Sequence, residues 1–359
     1  MDIARQRLQN QHLTDPSFLS AEEVVRWLGA VQAQDFAGAK WAVALRTTGL
    51  TDAQVNTAFA DGSILRTHLL RPTWHLVPAA DIRWMLALTA PRVHALNAYY
   101  YRQTGLDEET LSRAQLILAG ALHGHKYRTR NELAAILGEA GIPVDQTPLR
   151  TAYVLMYAEL EGLICSGPLH GKQFTYALLD ERVPQARSME RDEALAELTR
   201  RYFQSHGPAT LKDFTWWSGL SMADAAAGME MVKSHFLREE IGDRSYYFAP
   251  RASAAGGQPP AALLLSIYDE YIISYADRSA ITVRPEAAHV RVEEFLRSTL
   301  MLVLDSQIMG TWRRDQRKKA VHVEVSPFAP LSPIERAGVD DAMAHFGRFL
   351  QLPVTLTLR

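Results

Sequence analysis

Apolar positions recur at helical spacing over the first 62 residues, and two of the runs begin at clear helix-start signals. Ser20-Ala-Glu-Glu23 and Thr51-Asp-Ala-Gln54 are capping boxes, in which a hydroxyl and the side chain three residues later satisfy free helix N–H groups. The pattern predicts helices over residues 20–30, 37–46 and 51–61. An extended stretch at residues 64–77 follows, and Pro72 places a hairpin turn within it, because proline does not suit a central strand.

Three helices followed by a hairpin is the element order of a winged helix, and this order recurs along the chain. A second copy has helices at 108–122, after a capping box at Thr129, and at 148–161, then a hairpin over 163–179. A weaker third copy has a helix at 191–205, capping boxes at Thr210 and Ser221, and a hairpin over 236–248. Residues 80–101 predict a helix that buttresses the first copy. We predict winged-helix units at 1–101, 102–186 and 187–250.

The pattern changes after residues 251–260, RASAAGGQPP, which have the composition of a linker. Strands are predicted at 262–275, 299–304, 308–312, 321–325 and 354–358, with a helix at 332–350. The predicted fold class is therefore α+β, with three tandem winged-helix units and a C-terminal, mostly antiparallel β domain over 261–359.

Composition narrows the class of protein. The 359 residues are 47% hydrophobic and 22% charged, as in ordinary globular proteins, and the formal net charge of -2 argues against a uniformly basic surface. Cys165 is the single cysteine, which excludes an intrachain disulfide and a cysteine-rich zinc site. The first residues lack the apolar stretch of a signal peptide, and no apolar run approaches a membrane span, so we expect a cytoplasmic protein.

Two glutamines, Gln32 and Gln34, interrupt the apolar pattern between two elements that are predicted to be buried. Because a buried amide without hydrogen-bond partners costs a few kcal/mol, three interpretations are open. The two side chains face solvent, are satisfied by the backbone, or line a polar pocket.

Tandem winged helices make double-stranded DNA the first partner to consider, since a helix can enter the major groove while a hairpin presses on phosphates. The alternatives are a merely solvated basic surface and a protein-binding module. His75 could equally be a core residue, and Trp41, Trp216 and Trp217 are expected in the core. No motif for a metal or an organic cofactor is present, so none is predicted. The basic positions are Arg66, His68, Arg71 and His75 in the first hairpin, Lys126, Arg128, Arg130 and Lys172 in the second unit, and Arg313, Arg314, Arg317, Lys318 and Lys319 near the C-terminus.

Three motifs in this order resemble the AlkZ-like winged-helix DNA glycosylases, and the resemblance covers nearly the whole chain. They are Gln32-Ala-Gln34, the run RTHLLRPTWH at residues 66–75, and YDEY at residues 268–271. The family has three tandem winged helices and a C-terminal β domain. It removes N7-alkylated purines, including bulky adducts and some interstrand crosslinks. Its motif is Gln-apolar-Gln or Gln-apolar-Asp, so the resemblance implies that Gln32 and Gln34 are the catalytic positions.

The resemblance also implies a mechanism. N7-alkylation makes the base a good leaving group, so a neutral amide that orients water at C1′ suffices, and unmodified purines should be inert. Asp35, Asp269 and Glu270 are rival carboxylates. Arg66, His68, Arg71, Thr73 and His75 are candidates for supporting the glutamines or contacting DNA. Lys40, the nearest lysine, is expected on the surface, which favours a monofunctional glycosylase.

The expected partner is double-stranded DNA carrying alkylated purines, bound by a nucleoid-associated monomer. The alternative function is a non-catalytic winged-helix DNA-binding protein, either a transcription regulator or a damage-binding resistance protein. A protein-interaction scaffold is a third possibility, and it predicts no salt-dependent affinity for DNA.

Overall fold

The computed structural model describes residues 1–142, 148–250, 262–281, 284 and 299–359. The chain up to Pro78 forms four helices and three strands, and the capping boxes predicted at Ser20 and Thr51 are both present. The elements are α1 (Ile3–Asn10), α2 (Ala21–Leu28), β1 (Val31–Gln32), α3 (Phe36–Ala44), α4 (Asp52–Asp61), β2 (Ile64–Leu69) and β3 (Thr73–Pro78).

The first hairpin is part of a three-stranded antiparallel sheet in the order β1-β3-β2. Pro72 lies in the turn between β2 and β3, as predicted, where it removes no hydrogen bond from the ladder. β1 was not predicted. It is only two residues long, but it contains Gln32 and attaches that residue to the middle of the hairpin.

The middle of the chain repeats the order of helices followed by a hairpin, and the predicted capping boxes at Thr129, Thr210 and Ser221 are confirmed. Strands β4, β5 and β6 form one antiparallel sheet, and β7 pairs with β8 in another. The elements are α5 (Ile82–Gln103), α6 (Glu108–Leu122), β4 (Arg128–Thr129), α7 (Arg130–Glu139), α8 (Pro148–Leu160), β5 (Ile164–Ser166), β6 (Thr175–Leu178), α9 (Leu179–Arg182), α10 (Arg191–His206), α11 (Leu211–Ser218), α12 (Met222–Val232), β7 (Leu237–Ile241) and β8 (Arg244–Phe248).

The described part of the C-terminal region forms a five-stranded sheet in the order β13-β12-β11-β10-β9. Within it β12 and β13 are parallel, and the other neighbouring strands are antiparallel. The prediction of a mostly antiparallel sheet is confirmed, and the predicted linker at 251–260 lies outside the described residues. The elements are β9 (Leu263–Leu265), α13 (Glu270–Ile273), β10 (Leu300–Leu304), β11 (Gln307–Gln316), β12 (Val321–Pro327), α14 (Pro333–Leu350) and β13 (Val354–Leu358).

The prediction of one strand over residues 262–275 is wrong. β9 ends at Leu265, and the rest of the apolar run contains α13. Asp269 caps this helix by accepting the Tyr271 N–H at 2.9 Å. An aspartate that binds the backbone two residues ahead favours a turn over an extended chain, which accounts for the change.

The N-terminal and C-terminal regions share one hydrophobic core. Trp41 of α3 lies at its centre, in ring contact with Phe346 and Phe349 of α14, and its Nε1–H donates to the Leu264 carbonyl at 2.6 Å. This core fixes β1 and α3 against the C-terminal sheet. The four predicted domain limits stay predictions. No helix in the described ranges is long and apolar enough to cross a membrane.

Candidate active site

The Gln32-Ala33-Gln34 segment runs along the edge of the sheet formed by the first hairpin. Gln32 of β1 lies opposite His75 of β3, and the Ala33 N–H donates to the Trp74 carbonyl at 2.7 Å. Gln32 is 8% exposed and Gln34 is half-buried. Full exposure to solvent, one of the three interpretations, is therefore wrong for Gln32.

The amide of Gln32 is held in one orientation. Its backbone N–H donates to Glu270 Oε1 at 2.9 Å, and its side-chain Oε1 accepts from Arg71 Nη2 at 2.8 Å. Because a guanidinium only donates, the amide oxygen faces Arg71 and the amide nitrogen points elsewhere. Arg71 is anchored in turn, since its Nη1 donates to the Trp216 carbonyl at 3.1 Å.

Gln34 differs from Gln32 because its acceptor is unused. Its Oε1 is buried and makes no hydrogen bond with any residue that the structure describes, and the same holds for Thr67 Oγ1, Thr73 Oγ1 and His75 Nε2. Gln32, His75 and Thr67 lie opposite one another across the three strands, so their side chains share one face of the sheet. Each unsatisfied buried group costs about 1–3 kcal/mol, and this face can therefore bind a water molecule or a polar atom of a substrate.

His75 is a neutral imidazole whose tautomer is set by the backbone. Its Nδ1 lies 3.0 Å from the Thr73 carbonyl oxygen, which can only accept, so Nδ1 carries the proton and Nε2 is an acceptor. Burial, and then the charge of Arg71, lower the pKa of His75 to about 3. His75 is thus both fully buried and a polar member of the face that carries Gln32.

Asp269, one of the rival carboxylates, has both of its oxygens engaged in structural contacts. It forms a bidentate ion pair with Arg46 at 2.8 and 3.0 Å, and both side chains are fully buried. Together with its cap on the Tyr271 N–H, this pair fastens α13 to the end of α3. Asp269 is therefore placed to hold the fold.

Glu270, the second rival, contacts the motif through the backbone. Its buried carboxylate accepts the Gln32 N–H, the Trp217 Nε1–H at 3.0 Å and the Ser274 hydroxyl. Burial alone would raise the pKa of Glu270, but the contacts with His206, Ser274 and Gln32 prevail and lower it below its usual range. Glu270 is an ionised anchor for Gln32.

Asp35, the third rival, lies against the first turn of α3. A Cβ added at Gly38 would come within 2.6 Å of Asp35 Oδ2, so the carboxylate covers that glycine. Arg314 Nη2 lies 4.0 Å from the same oxygen.

Arg66 and His68 lie on the other face of the hairpin, because successive residues of a strand alternate between the two faces of the sheet. Arg66 Nε donates to the Ala33 carbonyl at 3.0 Å, which fixes the apolar residue between the two glutamines. His68 Nδ1 is in close contact with Glu159 of α8. The His68–Glu159 contact connects the first hairpin to α8.

The remaining basic candidates are distributed over two regions, and several already have acidic neighbours. Arg313 pairs with Glu324 at 2.7 Å, and Arg314 is largely buried beside Asp35. In the second region, Arg130 and Lys172 line a cavity that they share with Arg66. The first region holds Arg313 and Arg314 of β11 with Arg317, Lys318 and Lys319 of the following turn, and the second holds Lys126, Arg128, Arg130 and Lys172.

Two sequence-based expectations near the site are wrong. Trp216 was expected in the core with Trp217, but Trp216 is 40% exposed, whereas Trp217 is fully buried. Lys40 was expected on the surface, but it is 7% exposed and pairs with Asp52 at 2.6 Å. Neighbouring helix positions point about 100° apart, so the composition of a short segment does not show which of them faces inward.

The sequence profile of the family described as DNA glycosylase AlkZ-like matches residues 25–349. The chain belongs to this family of DNA glycosylases. A curated relative, the interstrand DNA cross-link repair glycosylase of Streptomyces sahachiroi, is 25% identical over an alignment that covers 95% of this chain and 94% of the relative. The solved structure of Streptomyces sahachiroi DNA glycosylase AlkZ superimposes with a TM-score of 0.80 at 24% identity, over 99% of this chain and 98% of that one. The resemblance read from the three motifs is thereby confirmed.

Proposed function

We propose that the protein is a monofunctional glycosylase that excises N7-alkylated, cationic purines from double-stranded DNA by attack of water at C1′. The observation that carries this proposal is the difference between the two amide oxygens. Arg71 occupies that of Gln32, whereas Gln34 Oε1 is buried without a partner among the described residues. An acceptor in that state can hold one water molecule in a fixed direction against the sugar of a bound nucleotide.

The chemistry suits an amide. An N7-alkylated purine carries a positive charge, so when the C1′–N9 bond breaks, its electron pair passes to N9 and the base leaves as a neutral molecule. The oxygen of the water bonds to C1′, and its proton passes to solvent. A neutral amide is a very poor base, so it suffices only for such a good leaving group. The site should therefore reject unmodified purines.

The surrounding residues act by positioning in this mechanism. Arg71 directs the Gln32 oxygen toward itself, which leaves the Gln32 amide NH2 available as a donor to the sugar or the base. Glu270 holds the Gln32 backbone, and Arg66 holds the Ala33 carbonyl. Because each support reaches the motif from a different element, the two amides are preorganised before the substrate binds.

The proposed substrates include bulky adducts and interstrand crosslinks. The relative from Streptomyces sahachiroi is named as an interstrand DNA cross-link repair glycosylase. A crosslink through N7 of a purine carries the same positive charge as a small N7 adduct. We propose that the three segments of helices followed by a hairpin act as winged helices that grip the duplex of a lesion in a monomeric protein. Base flipping costs a few kcal/mol, so a crosslinked base would favour access within the helix, and a small adduct leaves both routes open.

The proposed product is an abasic site without strand cleavage. A lyase needs an uncharged amine beside C1′ to form a Schiff base. Lys40, the lysine nearest in sequence to Gln34, is held by Asp52 and by Asn56 at 2.9 Å. An ammonium group in an ion pair is a poor nucleophile, which supports a monofunctional reaction.

The test is single-turnover release of base from a duplex that carries one N7-methylguanine, read as strand breaks after mild alkali. Wild type is compared with Gln32→Ala/Gln34→Ala and with a control, Gln103→Ala, which changes an exposed glutamine at the end of α5. DNA binding is measured in parallel. Release that is lost in the double variant alone, with binding retained, is the expected result.

Other outcomes would overturn the proposal. Release that survives in the double variant would move the catalytic role to a carboxylate such as Asp35. If bulkier cationic adducts were also left intact by wild type while binding stayed salt-sensitive, the protein would be a regulator or a damage-binding protein.

A further inference from the structure

A cavity of about 370 Å³ lies between the β2–β3 hairpin and residues 129–131 and 172–176. Its walls combine three basic and three aromatic side chains, and none of the described residues that line it is acidic. These six side chains are Arg66, Trp74, Arg130, Lys172, Phe174 and Tyr176. The cavity is next to the Gln32-Ala33-Gln34 segment, because Arg66 lines the cavity and also donates to the Ala33 carbonyl.

Arg66 is a buried cation that forms no ion pair with any residue that the structure describes. It is 8% exposed, and its guanidinium lies 4.2 Å from the Trp74 ring centre and 4.3 Å from that of Phe174. Its Nε is used by the Ala33 carbonyl, but the structure records no hydrogen bond or ion pair from its two terminal nitrogens to any described residue. The charge of Glu159 favours the protonated form of Arg66 by raising its pKa, but the Glu159 carboxylate is in contact with His68.

An anion in the cavity would give the two terminal nitrogens of Arg66 a partner. A buried guanidinium is costly unless it is paired and hydrogen-bonded, and stacking between two rings offsets only part of that cost. The two terminal nitrogens of a guanidinium form a rigid fork that fits two oxygens of one phosphate group. Lys172 is exposed at the mouth of the cavity, where it adds a second positive charge.

We propose that this cavity binds one phosphodiester group of the damaged DNA through Arg66 and Lys172, and that this contact holds the Gln32-Ala33-Gln34 segment in register with the lesion. The inference rests on the proposed function, because it takes DNA as the ligand. It adds a defined contact, since one planar guanidinium would join the Ala33 carbonyl on one edge to a DNA phosphate on the other. Arg66 is then a positioning residue that relates the site of chemistry to one backbone position.

The test is a methylphosphonate scan of the N7-methylguanine duplex, in which one phosphate at a time is made neutral. Wild type should lose about tenfold in affinity at one position, or at two neighbouring positions. In Lys172→Ala, which already lacks one of the two phosphate contacts, the local loss of affinity should shrink to less than about threefold. In Arg66→Gln, which lacks the main contact, the local loss should vanish. The control, Lys233→Ala, removes an exposed lysine that pairs with Glu230, and it should keep the local loss.

A second readout is the salt dependence of binding and the rate of base release. Lys172→Ala should lower the slope of log affinity against log salt by about 1. Arg66→Lys keeps the charge but not the fork, so bound DNA should react more slowly in this variant than in Lys172→Ala. Equal single-turnover rates for the two variants would contradict the positioning role of Arg66. Because Lys172 is exposed, its variant tests the site even if the Arg66 variants fold poorly.

The outcomes separate this inference from the proposed function. A flat scan in a wild-type protein that still releases base would overturn the phosphate site and leave the glycosylase intact. A local loss in a protein that binds DNA without releasing base would support the site and overturn the glycosylase. Inorganic phosphate at matched ionic strength is the last arm, read as the melting temperature. If it stabilises wild type but not Arg66→Gln while the scan is flat, the cavity binds a free phosphate and the DNA assignment is wrong.

Discussion

Removing the amide of Gln32 or Gln34 at nearly constant side-chain volume should change the stability of the free protein in opposite directions. We consider Gln34→Met and Gln32→Met, in which a methionine of similar length keeps the buried contacts and deletes the polar head. In the free protein the oxygen of Gln34 is buried without a partner among the described residues, whereas that of Gln32 accepts from Arg71 at 2.8 Å. Base release should fall in both variants, but the stability should move in different directions.

The magnitudes follow from the hydrogen bonds. An unsatisfied buried acceptor costs about 1–3 kcal/mol, so Gln34→Met should stabilise the free protein by roughly 1 kcal/mol. A hydrogen bond to a charged group is worth about 1.5–3 kcal/mol, and Gln32→Met leaves a nitrogen of Arg71 unpaired, so it should destabilise by roughly 2 kcal/mol. Positioning of the reacting groups contributes about 10²-fold or more, so each variant should release base at least about 100 times more slowly.

The assay combines urea denaturation of the free protein with single-turnover base release from the N7-methylguanine duplex. A gain in stability that accompanies a loss of activity is the signature of a residue kept for function at the expense of the fold. If Gln34→Met were less stable than wild type, its oxygen would have a partner in solution and the assignment of the water acceptor would be refuted. Full activity in Gln34→Met would refute the mechanism itself.

Three further predictions concern neighbouring groups. Asp269→Asn should destabilise the protein by about 3–5 kcal/mol in urea denaturation, because it leaves Arg46 buried without its ion pair. The folded-state pKa of His75 is lowered to about 3, so below pH 6.5 the unfolded chain takes up the proton first and stability falls as the pH decreases. Urea midpoints at pH 7 and pH 5 should show this fall, of about 2 kcal/mol from His75 alone, and His75→Gln should flatten it. Asp35→Asn should release base within a few-fold of the wild-type rate, and a loss of 100-fold would make Asp35 catalytic.

Local signals account for the elements that the sequence predicts well. The helix predicted at 332–350 is α14, which begins after a capping box at Ser332, and the helix at 108–122 is present with the same bounds. In each case the hydrogen bonds that start the helix lie within four residues of one another. Such bonds depend little on the rest of the fold, so the sequence pattern is sufficient.

The parts that sequence analysis missed depend on contacts between distant residues. β1 exists because two residues pair with β3, and Gln32 is held by Glu270 from 238 positions away. Local propensity has no bearing on a two-residue strand, whose hydrogen bonds all come from its partner. The motif could therefore identify the glutamines, but the difference between their oxygens could come only from the structure.

The proposed chemistry falls to two amides although three carboxylates lie nearby. Asp269 forms an ion pair with Arg46, and Asp35 lies against Gly38. Glu270 accepts hydrogen bonds from Gln32, Trp217 and Ser274. Asp269 and Glu270 could take a proton from water only by giving up the contacts that hold Arg46 and Gln32. In the proposed mechanism the water at C1′ is held by an amide, which is a weaker base, so the leaving group must drive the reaction. The proposed selectivity for a cationic purine would then come from the weakness of the catalytic groups. A protein that also bound the backbone phosphate through Arg66 could accept lesions of different size without gaining activity on normal DNA.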